Sequence, residues 1–471
     1  MLGENPSQPA LFQMVDVESL VPANHRLRQI NAALDLSFVR EALADCYTPG
    51  RGRPSIDPEL AVRMMILGVL YNLSDRQLCD EIRMHAGFRW FCRLNFHDPV
   101  PDHSTLSRLR NERWAESDLF TRLFEEILRS CAAAGLVAGG HVSVDGTQIK
   151  ANASMHSIEA RALPDKDVSD EDDSGDPHAS GAAKEPQPEG SWQGHGKRYS
   201  NETHVSQTDP DARLYRKGPN QGARLSYLVH DLIDTKSRVI LGRRASEAMG
   251  TAEREVALEL LEEHEDRRER VGIGRPVEIL SADAGYGVSR FVADIIDRGI
   301  VPHTPLQAGD EVEALPRWKR RTFNLQHYRR RREKVHLAQA RNHVRHLMRT
   351  EGYAVSRKLR IRSEHVFAEA KNLHGLGRAR HRGLEKVDRH AQLIAAVQNL
   401  KRLSRMLWRR AQGKSADSGF FEALLHALHS ALDRFQNLGP IDRRNRRISA
   451  AMSPITAYLQ LRQMAHCSTA F

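Results

Sequence analysis

From about residue 15 to 138 apolar and polar positions alternate with a helical period throughout. Asp57 followed by Pro58 reads as an N-cap and first-turn proline ahead of PELAVRMMILGVLYNL, a run apolar on most sides and therefore central to its domain. Ser74 caps a more amphipathic run, DRQLCDEIRMH, and after the turn HDPVPDHST a third helix is predicted from LSRLRNERW. Short helices joined by tight polar turns, the last carrying Arg108, Arg110 and Arg113, suit a helix-turn-helix-like reader of DNA. A plain three-helix bundle explains the same pattern.

At Gly139-Gly140 the period shortens to two, and HVSVDGTQI alternates as a strand does. Strand patterns return in ARLYRK, ARLSYLVHDLID and SRVILGRRAS, followed by a helical run from Thr251 to Arg267, the apolar run VEILSADAGY and the helix SRFVADIIDRG. Strands, then helix, strand and helix predict an α/β core with a mixed sheet. A single long helical pattern from Ser356 to about Arg410 closes that core. Residues 164–196 are low in complexity and crowded with Asp, a composition that cannot offset the entropy of ordering, so a disordered acidic insertion is expected there. The division expected is an all-α unit over 1–138, an α/β unit over 139–410 and an extension over 411–471 with one amphipathic helix around Phe420 to Phe435.

Composition narrows the classes. A chain of 471 residues predicts two to four folded units. The five cysteines are odd in number, far apart and without a Cys-x-x-Cys pair, which fits a reduced, cytoplasmic chain without a zinc ribbon. The stretch Leu60 to Leu73 is too short to span a membrane and carries Arg63, so no membrane association is expected. The net charge of +10 favours a polyanionic partner. Its location sharpens that inference: residues 317–362 hold sixteen Lys or Arg against only Glu333 and Glu351, a basic stripe that includes Arg329, Arg330, Arg331 and Arg332.

Candidate chemistry rests on acids at strand ends. Asp145 in VSVDGT and Asp283 in ILSADAGYG both close apolar strand runs, where functional side chains gather in an α/β sheet. A strand-end turn explains either alone. Brought together by neighbouring strands, they would repel unless a hard divalent cation lay between them. On RKLRIRSEHVFAEAKNLHG, Arg360 and Lys371 project within about 40° of Glu364, placing a carboxylate between two phosphate-binding cations. Arg362 and Glu369 project to the other side and read as charges on a solvated face. No Walker lysine motif or His-Glu-x-x-His pattern is present, and His204 and His230 read as structural residues.

These motifs together, with NETHVSQTDPDARLYRKG, GYAVSRKLRIRSEHVFAEAK and RHRGLEKV, and with the N-terminal GRGRPSIDPELAVRMMILGVLYNLSDRQL and PVPDHSTLSRLR, resemble a DDE transposase of a bacterial insertion sequence, of the broad insertion-sequence-four and -five superfamily. The resemblance spans roughly residues 15 to 405. It implies a ribonuclease H-like mixed-sheet catalytic core behind an all-α N-terminal domain, with Asp145, Asp283 and Glu364 as catalytic metal ligands. It further implies two Mg²⁺ or Mn²⁺ ions, and double-stranded DNA, both terminal inverted repeats and target, as partner of a homodimer. The superfamily signature is met at Arg360, Glu364 and Lys371, whereas its tyrosine position is Arg357 here, with Tyr353 one turn earlier. Arg357, Arg360, Lys371 and Arg329–Arg332 are the expected phosphate contacts, and Arg108, Arg110 and Arg113 the expected readers of the element's ends. A nuclease that does not join strands and a non-catalytic DNA-binding regulator are the rival readings.

Overall fold

The computed structural model describes residues 16–47, 55–161, 200–216, 218, 222–307, 309, 312–314 and 325–412. The expected insertion and the C-terminal extension beyond 412 lie outside the described residues. Three short helices, α1 (Val17–Leu20), α2 (Arg26–Ala33) and α3 (Val39–Ala42), lead into α4 (Pro58–Leu70). Asp57 accepts a hydrogen bond from the Glu59 N–H at 3.0 Å, and Pro58 takes the first turn, where its missing N–H costs nothing. From Ala61 to Leu70 this helix is wholly buried, Arg63 included. Arg63 is tolerated because its guanidinium donates to Glu59, Asn31 and the Phe91 carbonyl.

A reciprocal capping box between Ser74 and Gln77 starts α5 (Asp75–Met84), as the sequence predicts, and α6 (Ala86–Phe91) follows. The next helix differs from expectation. Asp102 caps the Ser104 N–H and starts α7 (His103–Arg108) ahead of the apolar pattern, and beyond it the chain widens into a π-type turn over Leu109–Arg113. The last N-terminal helix is α8 (Leu119–Ala133).

Strand β1 (His141–Lys150) begins the sheet; β2 (Ile158–Ala160) and β3 (His204–Ser206) form a separate two-stranded ladder. Then come β4 (Arg213–Tyr215), β5 (Arg224–Asp234), β6 (Ile240–Glu247), α9 (Ala252–Arg268), β7 (Ile279–Ser281), α10 (Ser289–Asp297) and β8 (Val301–His303). The main sheet runs β4-β5-β1-β7-β8, with β6 also on β5; pairings with β5 are antiparallel, and β1–β7 and β7–β8 are parallel. Strand β8 was not expected, since three residues with a central proline carry no period.

Three helices close the fold: α11 (Leu325–Leu347), α12 (Glu351–Leu373) and α13 (Leu384–Ala411). The single long helix predicted from Ser356 is in fact two. Gly375 and Gly383, with φ of +74° and +88°, break it where residues with a Cβ would be strained. Two aspartates then fix the start of α13: Asp209 accepts from Gly383 N–H at 2.9 Å and from Tyr227 Oη at 2.5 Å, and Asp211 accepts from Leu384 N–H at 2.8 Å. Leu393 to Leu400 of α13 are all buried, and one apolar cluster runs from Leu27 in α2 through the sheet to Leu403. Asn399 ties α13 to the sheet, accepting from Ile240 N–H and donating to Ile240 O at 2.9 and 2.8 Å.

Candidate active site

Parallel pairing sets Ser143 of β1 beside Ser281 of β7, so two residues further on Asp145 and Asp283 stand at the same level where the short parallel strand ends. Beyond β7 the chain turns through Ala284–Tyr286, and Asp283 Oδ1 caps that turn by accepting from the Gly285 N–H at 2.8 Å. Thr304 holds the Asp283 carbonyl at 2.7 Å. Gly287 is obligatory here, because a Cβ would lie 1.9 Å from the Pro305 carbonyl oxygen.

Asp145 has a second acid beside it, Asp231 of β5, its partner in the antiparallel register. The two differ in how they are satisfied. Asp231 is fully buried and held by both arms of Arg243 at 2.6 Å, a neutralised pair. Among the described residues Asp145 accepts from the Gly146 N–H at 2.9 Å and from Ser363 Oγ of α12 at 3.3 Å, with no two-point partner. Burial, then the charge of Asp283, raises its carboxyl to about 6, against the lowering influence of the Gly146 N–H, Arg360 and Ser363. A carboxylate so placed favours a cation at its side.

Helix α12 lies over this pair. Its buried stripe is Tyr353, Ser356, Leu359, Ser363, Val366, Phe367 and Ala370, and Arg357, Arg360, Glu364 and Lys371 follow one position further round. Arg360 acts electrostatically on Asp145 and also pairs with Glu364 at 3.6 Å. Glu364 is not gathered with the two aspartates: its side chain is 57% exposed and turned toward Arg360. Arg357 is exposed, Lys371 is half-buried, and Tyr353 is buried against His303 with ring centroids 5.6 Å apart.

The other candidates disperse. Arg329, Arg330 and Arg332 are exposed on α11 and Arg331 is half-buried. Farther along the stripe, Arg341 and Arg345 pair with Glu313 instead of facing solvent. Among the N-terminal candidates Arg108 and Arg113 are exposed, Arg113 over the Tyr47 ring, while Arg110 pairs with Asp75 at 2.7 Å. Glu369 and Arg362, read as a solvated face, are not. Glu369 joins α12 to α13 through Lys401, Arg402 and Gln398, and Arg362 donates to the Thr235 and Lys236 carbonyls. The helical projection was right, but the far side of α12 is covered by α13. Ser363 went unnoticed, although the apolar spacing of its stripe marks it as facing the sheet.

Two buried polar atoms beside the acids lack a hydrogen-bond partner among the described residues, Tyr286 Oη and His230 Nδ1. The carboxylates of Asp145 and Asp283 and the Tyr286 hydroxyl are oxygen donors of the kind a hard divalent cation takes, and His230 adds a ring nitrogen nearby. Among the described residues no three His, Cys, Asp or Glu converge tightly enough to form a finished metal site. None of the described helices is long and apolar enough to cross a membrane.

Residues 15–112 match a family described as a transposase domain (DUF772), and residues 191–400 match one described as a transposase DDE domain. No solved structure matches the chain. The helical N-terminal region, the mixed sheet and the DDE-domain match make the fold class ribonuclease H-like.

Proposed function

The chain belongs to the DDE transposases of insertion sequences, and on that premise we propose that Asp145, Asp283 and Glu364 carry metal-dependent cleavage of DNA and joining of its 3′ ends to a target. The observation that supports this most is the placement of Asp145 and Asp283 at one level on parallel strands, under a helix whose Arg360 and Ser363 act on Asp145. Asp145, Asp283 and Glu364 would hold Mg²⁺ or Mn²⁺, and two such ions would supply Lewis-acid stabilisation of the reacting phosphate oxygens.

The protein's own groups supply the rest. Asp145 and Asp283 present carboxylate oxygens to the cation and limit where the scissile phosphate can sit. Arg360 offers a planar fork for a phosphate oxygen. Because its pairing with Glu364 is long and half-exposed, an arriving phosphate competes for Arg360 and frees Glu364 to turn toward the pair. Lys371 and Arg357 extend the positive edge along α12, and Arg329–Arg332 attract the duplex without regard to sequence. Arg108 and Arg113, with Arg110 fixed by Asp75, belong to the N-terminal helices that we assign to reading the ends. Joining two ends together calls for a homodimer on the DNA, working in the cytoplasm where the chromosome lies.

The test is incubation of the full chain with labelled DNA carrying the element's inverted repeats, a target plasmid and Mg²⁺. Joined products are expected. Cutting without joining would make the chain a nuclease, and binding without either would make it a regulator.

A further inference from the structure

Glycines beside both aspartates point to a third acid. Gly146 follows Asp145 along β1, and a Cβ there would lie 3.4 Å from both Cγ and Oε1 of Glu253. Gly285 follows Asp283 by two, and a Cβ there would lie 3.0 Å from Asp283 Oδ1 and 3.7 Å from Glu253 Oε2. One small gap, kept open by a missing side chain, is thus bordered by carboxylate oxygens of Asp283 and Glu253.

Glu253 comes from a different direction than Glu364. It sits in the first turn of α9, where the helix dipole favours an anion. Asp145 faces α12, since Ser363 donates to it, while Gly146, the next residue, faces α9 and His230. Strand β7 stops two residues short of Asp283, so a side chain from α9 can reach that aspartate past the strand end. Arg254, next to Glu253, donates to the Gly285 carbonyl at 3.4 Å and holds the turn against α9.

The buried hydroxyl of Tyr286, 1% exposed and without a hydrogen-bond partner among the described residues, lies within the charge field of Glu253, Asp145 and Asp283 together. An unpaired phenol among three acids indicates a place for a polar guest such as a hydrated cation. We propose that Glu253 is a fourth carboxylate of the active site, which with Asp283 holds a divalent cation at the α9 side of the sheet end before Glu364 joins from α12. This rests on the reading of Asp145 and Asp283 as cation ligands. Glutamate has three rotatable bonds, so the final approach of its oxygens to the cation is a matter of rotamer choice.

The experiment is calorimetric titration of the full chain with Mn²⁺ in the absence of DNA. Wild type and Glu364→Gln are expected to bind within about twofold of each other, whereas Glu253→Gln binds about 10-fold more weakly. Glu253→Gln binding like wild type while Asp145→Asn and Asp283→Asn lose the ion would overturn the proposal and leave the parent reading standing. Failure of wild type to bind Mn²⁺ without DNA would overturn it too. Unchanged binding by both aspartate variants would instead remove the parent reading. If Glu253→Gln melts below wild type in EDTA, Gly285→Ala replaces it, since a methyl group crowds the gap and leaves every charge in place. Weaker binding by that variant supports the assignment, and unchanged binding contradicts it.

Discussion

Two acids pair across β1 and β5, Asp231 fully buried and Asp145 half-buried, and among the described residues an arginine holds Asp231 in a two-point pair but not Asp145. Asp231 is matched by Arg243, so removing the acid strands a buried guanidinium: Asp231→Ala should cost about 3–5 kcal/mol in urea unfolding, and a loss under 1 kcal/mol would show that Arg243 finds other partners. Asp145 is the opposite case. Its carboxyl is raised from 3.8 to about 6, so its contribution to stability is full below pH 4 and is lost as the pH rises through 6. Asp145→Asn should therefore raise metal-free stability by about 1–3 kcal/mol at pH 8, with the gain gone at pH 4. Melting temperatures in EDTA across that range check this, and a gain independent of pH would contradict it. The sequence shows both aspartates inside strand patterns; what separates them is the register that brings Arg243 to one and Asp283 to the other, and register is a long-range property. The pairing of Glu364 with Arg360 was legible from their spacing of four, but the outward rotamer that keeps Glu364 away from the aspartates was not.

Among elements, α12 and α13 read in sequence as one helical pattern because helical periodicity continues on both sides of the glycines. Their separation matters for the site, since it lets α13 fold back and fix the face of α12 that carries Ser363 and Arg360. The clamp is Glu369. Burial raises its carboxyl, but hydrogen bonding to His374 and the charges of Arg402 and Lys401 overcome this and hold it well below the usual range. That lowered group stabilises the fold above its unfolded value and loses its effect as acid protonates it. Glu369→Gln should lower stability at pH 7 by about 1–3 kcal/mol and slow cleavage without weakening DNA binding. Unaltered melting in differential scanning calorimetry would show that the network is incidental. The aspartates of TDPDA were noticed as a motif, yet their use as caps of α13 could not be read from spacing, because Asp211 and Leu384 lie far apart in the chain.

At the scale of the molecule, the N-terminal helices and the sheet share one apolar cluster through α13, so the site is braced from both sides. The acidic insertion is a different matter. Ala160 pairs with His204 in the β2–β3 ladder, and the Arg161 N–H donates to the Thr203 carbonyl at 2.9 Å, so the chain leaves and returns at nearly one point. Deleting Asp165–Glu189 should leave the melting temperature within about 2 °C, since a segment so rich in Asp, Gly and Pro has little apolar surface to bury. A larger drop would mean that the segment packs.

The central claim is that Asp145, Asp283 and Glu364 perform the chemistry while Lys and Arg provide the affinity. It is tested most directly by single-turnover cleavage of end DNA with Asp145→Asn, Asp283→Asn and Glu364→Gln, alongside binding of the same DNA. Each variant should lose at least about 1,000-fold in rate, roughly 4 kcal/mol in the barrier, and keep affinity within a few-fold. Cleavage by any of the three at near the wild-type rate would contradict the account for that residue, and for all three would contradict it entirely.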